Sequence, residues 1–130
     1  MSVYTTKAFS KFARKAGLGS AALLEAAGAV ASDLWDANLG GGVFKQRIAR
    51  EGDGKSGSFR TIILFKVGGH SFLVHGFAKN EKANISAKEL KALKKLAATF
   101  LNLDAEALKK ASAAGEIAEV KNHGEDGKKD

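Results

Sequence analysis

Between the three glycines at 40–42 and Asn80, the chain carries three β-like runs joined by connections too short for a parallel crossover. "VFKQRIAR" (43–50) alternates, so Phe44 and Ile48 face one way while Lys45 and Arg47 face the other. "FRTIILFKV" (59–67) is rich in β-branched and aromatic residues. "HSFLVHGFAK" (70–79) follows Gly68 and Gly69, a pair suited to a two-residue hairpin turn. In this third run Phe72 and Val74 oppose Leu73, His75, Phe77 and Lys79. A parallel return needs a dozen or more residues, so the runs are expected to form an antiparallel meander.

Helical periodicity flanks the meander on both sides. Phe9, Phe12, Ala13 and Ala16 predict a first helix over 5–16, broken by "AGLG" at 16–19. Ser20 is placed to cap a second helix, whose stripe is Leu23, Leu24, Ala27 and Val30 and which fades near Ser32. After the meander, Ser86 and Glu89 have the spacing of a capping box, and Ile85 and Leu90 that of a hydrophobic staple. Leu90, Leu93, Leu96, Ala97 and Phe100 form the buried stripe, with Lys88, Lys91, Lys94 and Lys95 on a solvated face. Asp104 caps a further short helix, "AEV" (118–120) reads as a short strand, and "KNHGEDGKKD" (121–130) reads as a disordered tail. The expected fold class is α+β. It has a small antiparallel sheet, two N-terminal helices and one or two C-terminal helices, in one domain over 1–120. One sheet face packs on the helices and the other is partly open.

The connection "EGDGKSGSFR" (51–60) raises the question of a nucleotide loop. Gly54, Lys55 and Ser56 fill the last places of the GxxxxGK[ST] pattern, but Ala49 stands where its first glycine belongs. A strand follows where the pattern requires a helix, so a nucleotide site is not expected. No metal site or cofactor is expected either. The three histidines are scattered, no cysteine is present, and between 43 and 80 the only acids are Glu51 and Asp53. No GxSxG elbow marks a serine nucleophile. The absence of cysteine, of a long apolar run and of a signal-peptide core leads to an expected cytoplasmic location.

What remains is positive charge. The chain carries +7, and residues 43–82 hold eight cations against three acids, or +5. Such a surface favours polyanions, with nucleic acid first and an acidic protein second. Lys45 and Arg47 share a strand face, Arg60 opens the next strand, and Lys79 ends the third. If the strands pair in sequence order, these four can converge on one rim of the sheet as a metal-free phosphate site.

The run "LGGGVFKQRIAR…GKSGSFRTIILFKVGGHSFLVHGFAKNEKANI", followed by "SAKELKALKKLA", resembles the RelE-type toxins of bacterial type II toxin–antitoxin pairs, nearest the HigB-like branch. The resemblance spans roughly residues 1–120. It implies a small curved antiparallel sheet with helices on one side. It also implies a ribosome-dependent mRNA endoribonuclease that cuts the message in the decoding site, and a cognate antitoxin, usually a helix-turn-helix protein. By this resemblance Lys45, Arg47, Arg60 and Lys79 are the catalytic set, with Lys45 deprotonating the RNA 2′-hydroxyl and Arg60 stabilising the phosphorane. Lys79 or Arg47 aids the leaving oxygen, and His75 is an alternative base or acid. Arg50, Lys55, His75, Phe77 and Lys82 are the expected RNA contacts. The family's catalytic tyrosine would fall near Ile85, which can neither stack nor transfer a proton, so the general acid is open. A gyrase-poisoning toxin of the ParE type and a non-enzymatic nucleic-acid-binding module are the alternatives.

Overall fold

A computed structural model describes residues 1–48, 58–78 and 85–121. Their order is β1 (Val3–Thr6), α1 (Lys7–Ala16), α2 (Ser20–Ala31), β2 (Ala37–Gly40), β3 (Val43–Ile48), β4 (Phe59–Phe65), β5 (Ser71–Ala78), α3 (Ala87–Phe100), α4 (Ala105–Ala113) and β6 (Ile117–Glu119). The α+β class holds. Of the expected tail, all but Lys121 lies outside the described residues.

Local chemistry accounts for most element boundaries. Residues 5 and 6 belong to β1, so the first helix starts at Lys7, where the Thr6 hydroxyl accepts from the Phe9 N–H at 3.2 Å. The second helix is capped by Gly19, with Ser20 as its first helical residue and no side-chain cap bond. At α3 the capping box is complete: the Ser86 N–H donates to Glu89 at 2.9 Å and the Glu89 N–H donates to the Ser86 hydroxyl at 3.1 Å. Asp104 accepts from the Ala107 N–H at 2.8 Å and opens α4. Lys88, Lys91, Lys94 and Lys95 are exposed, as a solvated face requires.

The six strands form one open sheet in the order β2-β3-β4-β5-β1-β6. The expected meander is its centre, β3-β4-β5, with both pairings antiparallel. Three further strands extend it. β1 lies parallel to β5, which makes the sheet mixed, and β6 pairs antiparallel with β1. Short length hid β1 and β2: neither has room for a visible alternation. The turn between β4 and β5 also differs from the expected two-residue hairpin. Its hydrogen bond runs from the Gly69 N–H to the Lys66 carbonyl at 2.8 Å. Val67 and Gly68 are its central residues, and Gly68 takes the left-handed φ of 82°.

Helices pack on both faces of the sheet, not one. Ile48, Phe59, Ile63 and Leu73 pack with Phe9 and Ala13 of α1 and Leu23, Ala27 and Val30 of α2. Val43, Ile62, Leu64 and Phe72 pack on the other face with Ala97 of α3 and Leu108 of α4. Ile62, Ile63 and Leu64 of β4 have no exposed surface, so this strand is buried on both sides. That explains its unbroken apolar run.

A bulge in β5 decides which residues share a face. Ile62 pairs with His75 and Ile63 with Leu73, which leaves Val74 as the extra residue. The bulge moves His75 and Phe77 onto the face of Phe72 and Val74. Strict alternation had placed them with Leu73.

Beyond the bulge, Gly76 turns to the α1 side. A Cβ built there would overlap the Phe12 ring. Gly76→Ala should therefore lower stability by about 1–3 kcal/mol. Urea denaturation measures this, and an unchanged midpoint would show that α1 does not rest on β5.

Candidate functional site

The register of β3, β4 and β5 sets charged residues in two rows across one sheet face. Lys45 pairs with Ile62, and Ile62 pairs with His75. Arg47 pairs with Arg60, and Arg60 pairs with Phe77. Ile62 belongs to the core beneath α3 and α4, so both rows lie on that face. Neighbouring strands are about 4.8 Å apart, which puts the Lys45 and His75 backbones about 10 Å apart on either side of Ile62. The rows are two residues apart along each strand, or roughly 7 Å. The opposite end of the face, at Val43, Leu64 and Phe72, lies under the helical layer.

Burial differs within the group. Arg47 is exposed, and Lys45, Arg60 and His75 are half-buried. Phe77 is only 6 % exposed, so it forms the floor beside Arg60 and not an open platform for a base. Its ring lies 5.8 Å from that of His75. Arg47 also borders the cleft between β3 and α2, with Glu25 and Gln46, and so stands at the outer edge of the face. Arg60 is the central residue. Its Nη1 is a buried side-chain nitrogen without a hydrogen-bond partner among the described residues. An unsatisfied buried donor is costly, and a fold that keeps one calls for a specific explanation, of which a functional role is one.

Two residues that sequence patterning passed over brace this end of β3. The Asp36 carboxylate accepts from the Arg47 N–H at 2.6 Å. The Asp36 N–H donates to the Gln46 side chain at 3.1 Å and to the Lys45 carbonyl at 3.0 Å. On the other side the buried Thr61 hydroxyl donates to the Gln46 carbonyl at 2.9 Å. β3 runs past the end of β2 here, so Asp36 supplies bonds that a further strand residue would have made. The signal was a lone acid four residues before the glycine turn, which looks the same as any loop acid.

The other expected contacts fall outside the described residues: Lys79, Arg50, Lys55 and Lys82. Ile85, where the tyrosine was expected, packs against the second core together with Leu90. Tyr4 is stacked on Phe72 at 5.4 Å, away from the two rows. Among the described residues no cluster of His, Cys, Asp and Glu could hold a metal ion. None of the described helices is long and apolar enough to cross a membrane.

A family model described as the RelE toxin of the RelE / RelB toxin-antitoxin system matches residues 1–120. No curated protein matches the chain.

Arg60→Met keeps most of the side-chain length and removes the orphaned donor. It should raise stability by about 1 kcal/mol in urea denaturation. A loss of stability would show that the guanidinium holds the fold together instead.

Proposed function

The chain belongs to the RelE toxin family, the toxin half of a toxin–antitoxin pair, and we propose that it acts as a ribosome-dependent mRNA endoribonuclease. The observation that carries this reading is the paired rows of Lys45, His75, Arg47 and Arg60 on one sheet face, with the buried Arg60 Nη1 unpaired among the described residues.

RNA brings its own nucleophile. The 2′-hydroxyl oxygen bonds to the adjacent phosphorus while the bond from phosphorus to the 5′-oxygen breaks. One proton leaves the 2′-hydroxyl and another reaches the 5′-oxygen. The products are a 2′,3′-cyclic phosphate and a 5′-hydroxyl, with no oxidant, metal or water consumed. In-line displacement needs the base and the acid on opposite sides of the phosphorus. Lys45 and His75 flank the site in this way. An imidazole near neutral pH accepts a proton, and an ammonium donates one. His75, the alternative base or acid of the sequence reading, is therefore assigned as the base, and Lys45, expected by resemblance to be the base, as the donor to the leaving oxygen. This pair also supplies the acid that Ile85 cannot. Arg60, between them and one row on, stabilises the charge that gathers on the phosphate oxygens. Arg47, at the rim, holds the adjoining backbone phosphate. Lys79, Arg50, Lys55 and Lys82 keep the roles toward the message that the resemblance implies for them. The ribosomal decoding site, the cytoplasm and a helix-turn-helix antitoxin complete the proposal.

Programmed ribosomes and end mapping of the message test it. Arg60→Ala, His75→Ala and Lys45→Ala should each lower cleavage by about 100-fold or more. A purely binding module would lose only about 1–3 kcal/mol of affinity with Arg60→Ala and would leave the message intact. Arrest of DNA replication with intact message would replace the nuclease with a gyrase poison.

A further inference from the structure

We propose that the cavity bounded by β1, β6, α4 and the start of β5 binds a ribonucleoside 5′-monophosphate, with its phosphate on Lys109, Ser112 and His70 and its ribose hydroxyls on Glu119.

The cavity measures about 420 Å³. Tyr4, His70, Lys109, Ser112 and Glu119 are its polar lining, and Ala105, Leu108 and Ala113 its apolar part. That size falls within the roughly 300–1,000 Å³ range of small-ligand sites. It shares no residue with the Lys45 and Arg60 rows.

The rings that border it are held in place. Tyr4 stacks on Phe72 at 5.4 Å and meets His70 edge-on at 5.7 Å. The Ser2 N–H donates to His70 Nδ1 at 3.2 Å. A backbone N–H can only donate, so Nδ1 is the bare nitrogen of a neutral ring and the proton sits on Nε2. His70 therefore presents a preset donor. Lys109 and Ser112 are three apart on α4, hence on one helix face. Among the described residues no hydrogen bond or ion pair engages the Tyr4 hydroxyl, His70 Nε2, or the side chains of Lys109, Ser112 and Glu119. Donors from β1, β5 and α4 thus border one cavity with their bonds still to make.

The acid decides the ligand. Glu119 lies directly across from Tyr4 in the β1–β6 ladder, hence on the same face. It is the one carboxylate among the lining residues, and it makes no ion pair with Lys109 although both border the cavity. A bare phosphate ion would meet its repulsion. A ligand with an anion at one end and hydroxyl donors at the other satisfies both walls. Ribose 5′-phosphate has this layout. Its phosphate oxygens accept from Lys109, Ser112 and His70 Nε2, and its 2′- and 3′-hydroxyls donate to Glu119. The Tyr4 hydroxyl can serve either end, and a base on the ribose covers Ala105, Leu108 and Ala113.

The test titrates the full chain, ¹⁵N-labelled, with uridine 5′-monophosphate. His70 Nε2 and the Lys109 and Ser112 amides should shift. Uridine, inorganic phosphate and 2′,3′-dideoxyuridine 5′-monophosphate should each bind about tenfold more weakly or worse. Lys109→Met should weaken the nucleotide by about tenfold. Glu119→Ala should act in opposite directions, weakening the nucleotide and tightening inorganic phosphate, a split that a merely structural role would not produce. Lys45→Ala and Arg60→Ala should bind the nucleotide as the parent chain does, so the result is separable from the catalytic assignment. Uridine or inorganic phosphate binding as tightly as the nucleotide would overturn the proposal. So would shifts confined to the rows of Lys45 and Arg60, or no shift at about 10 mM nucleotide. A 5′-phosphorylated oligouridylate that binds more tightly than the mononucleotide would assign the cavity to an RNA end and overturn it.

Discussion

The register of β4 between β3 and β5 is the constraint on which the rest depends. Its central residues are buried on both faces, so a slip of one position would turn each of them to the wrong core. The same slip would drive Arg60 under α1 and α2, among Phe9, Leu23 and Val30. Burying a guanidinium there without a partner is far more costly than losing one ladder bond. Apolar burial and charge avoidance therefore select one pairing, and that pairing fixes which cations become neighbours.

The grouping itself opposes stability. Arg47 and Arg60 are directly cross-strand, a like-charge pair of the kind that weakens a sheet. The hydrophobic ladder below them, with Ile62 and Leu64 fully buried, supplies the offset. Local conflict in an otherwise consistent fold is characteristic of sites that await a ligand. A phosphate would relieve both the repulsion and the unmet Arg60 donor.

The strongly patterned parts of the molecule could be read from the sequence. The Ser86–Glu89 box, the Asp104 cap and the long apolar run of β4 each combine several residues into one signal. Lys45, Arg47 and Arg60 could be placed on one side because β3 alternates cleanly and its pairing follows chain order. The face of His75 and Phe77 could not, because a bulge shifts parity without leaving a mark in residue type. Asp36 was invisible for a related reason: its role comes from where β2 stops, a tertiary fact. β1 and β2 were obscure because each is too short to show a period, whereas the short strand read at 118–120 is present as β6; its pairing with β1 is distant in the chain.

That distance bears on how the molecule comes into being. Among the described residues β6 pairs only with β1, so an early strand waits for a late one, with Thr6 matched to Ile117. Non-local pairings of this kind form late, after the entropy of closing a long loop has been met. During synthesis the meander with its cations can be assembled while the amino-terminal strand still has a bare flank. The molecule therefore stays an incomplete object until β1 and β6 meet.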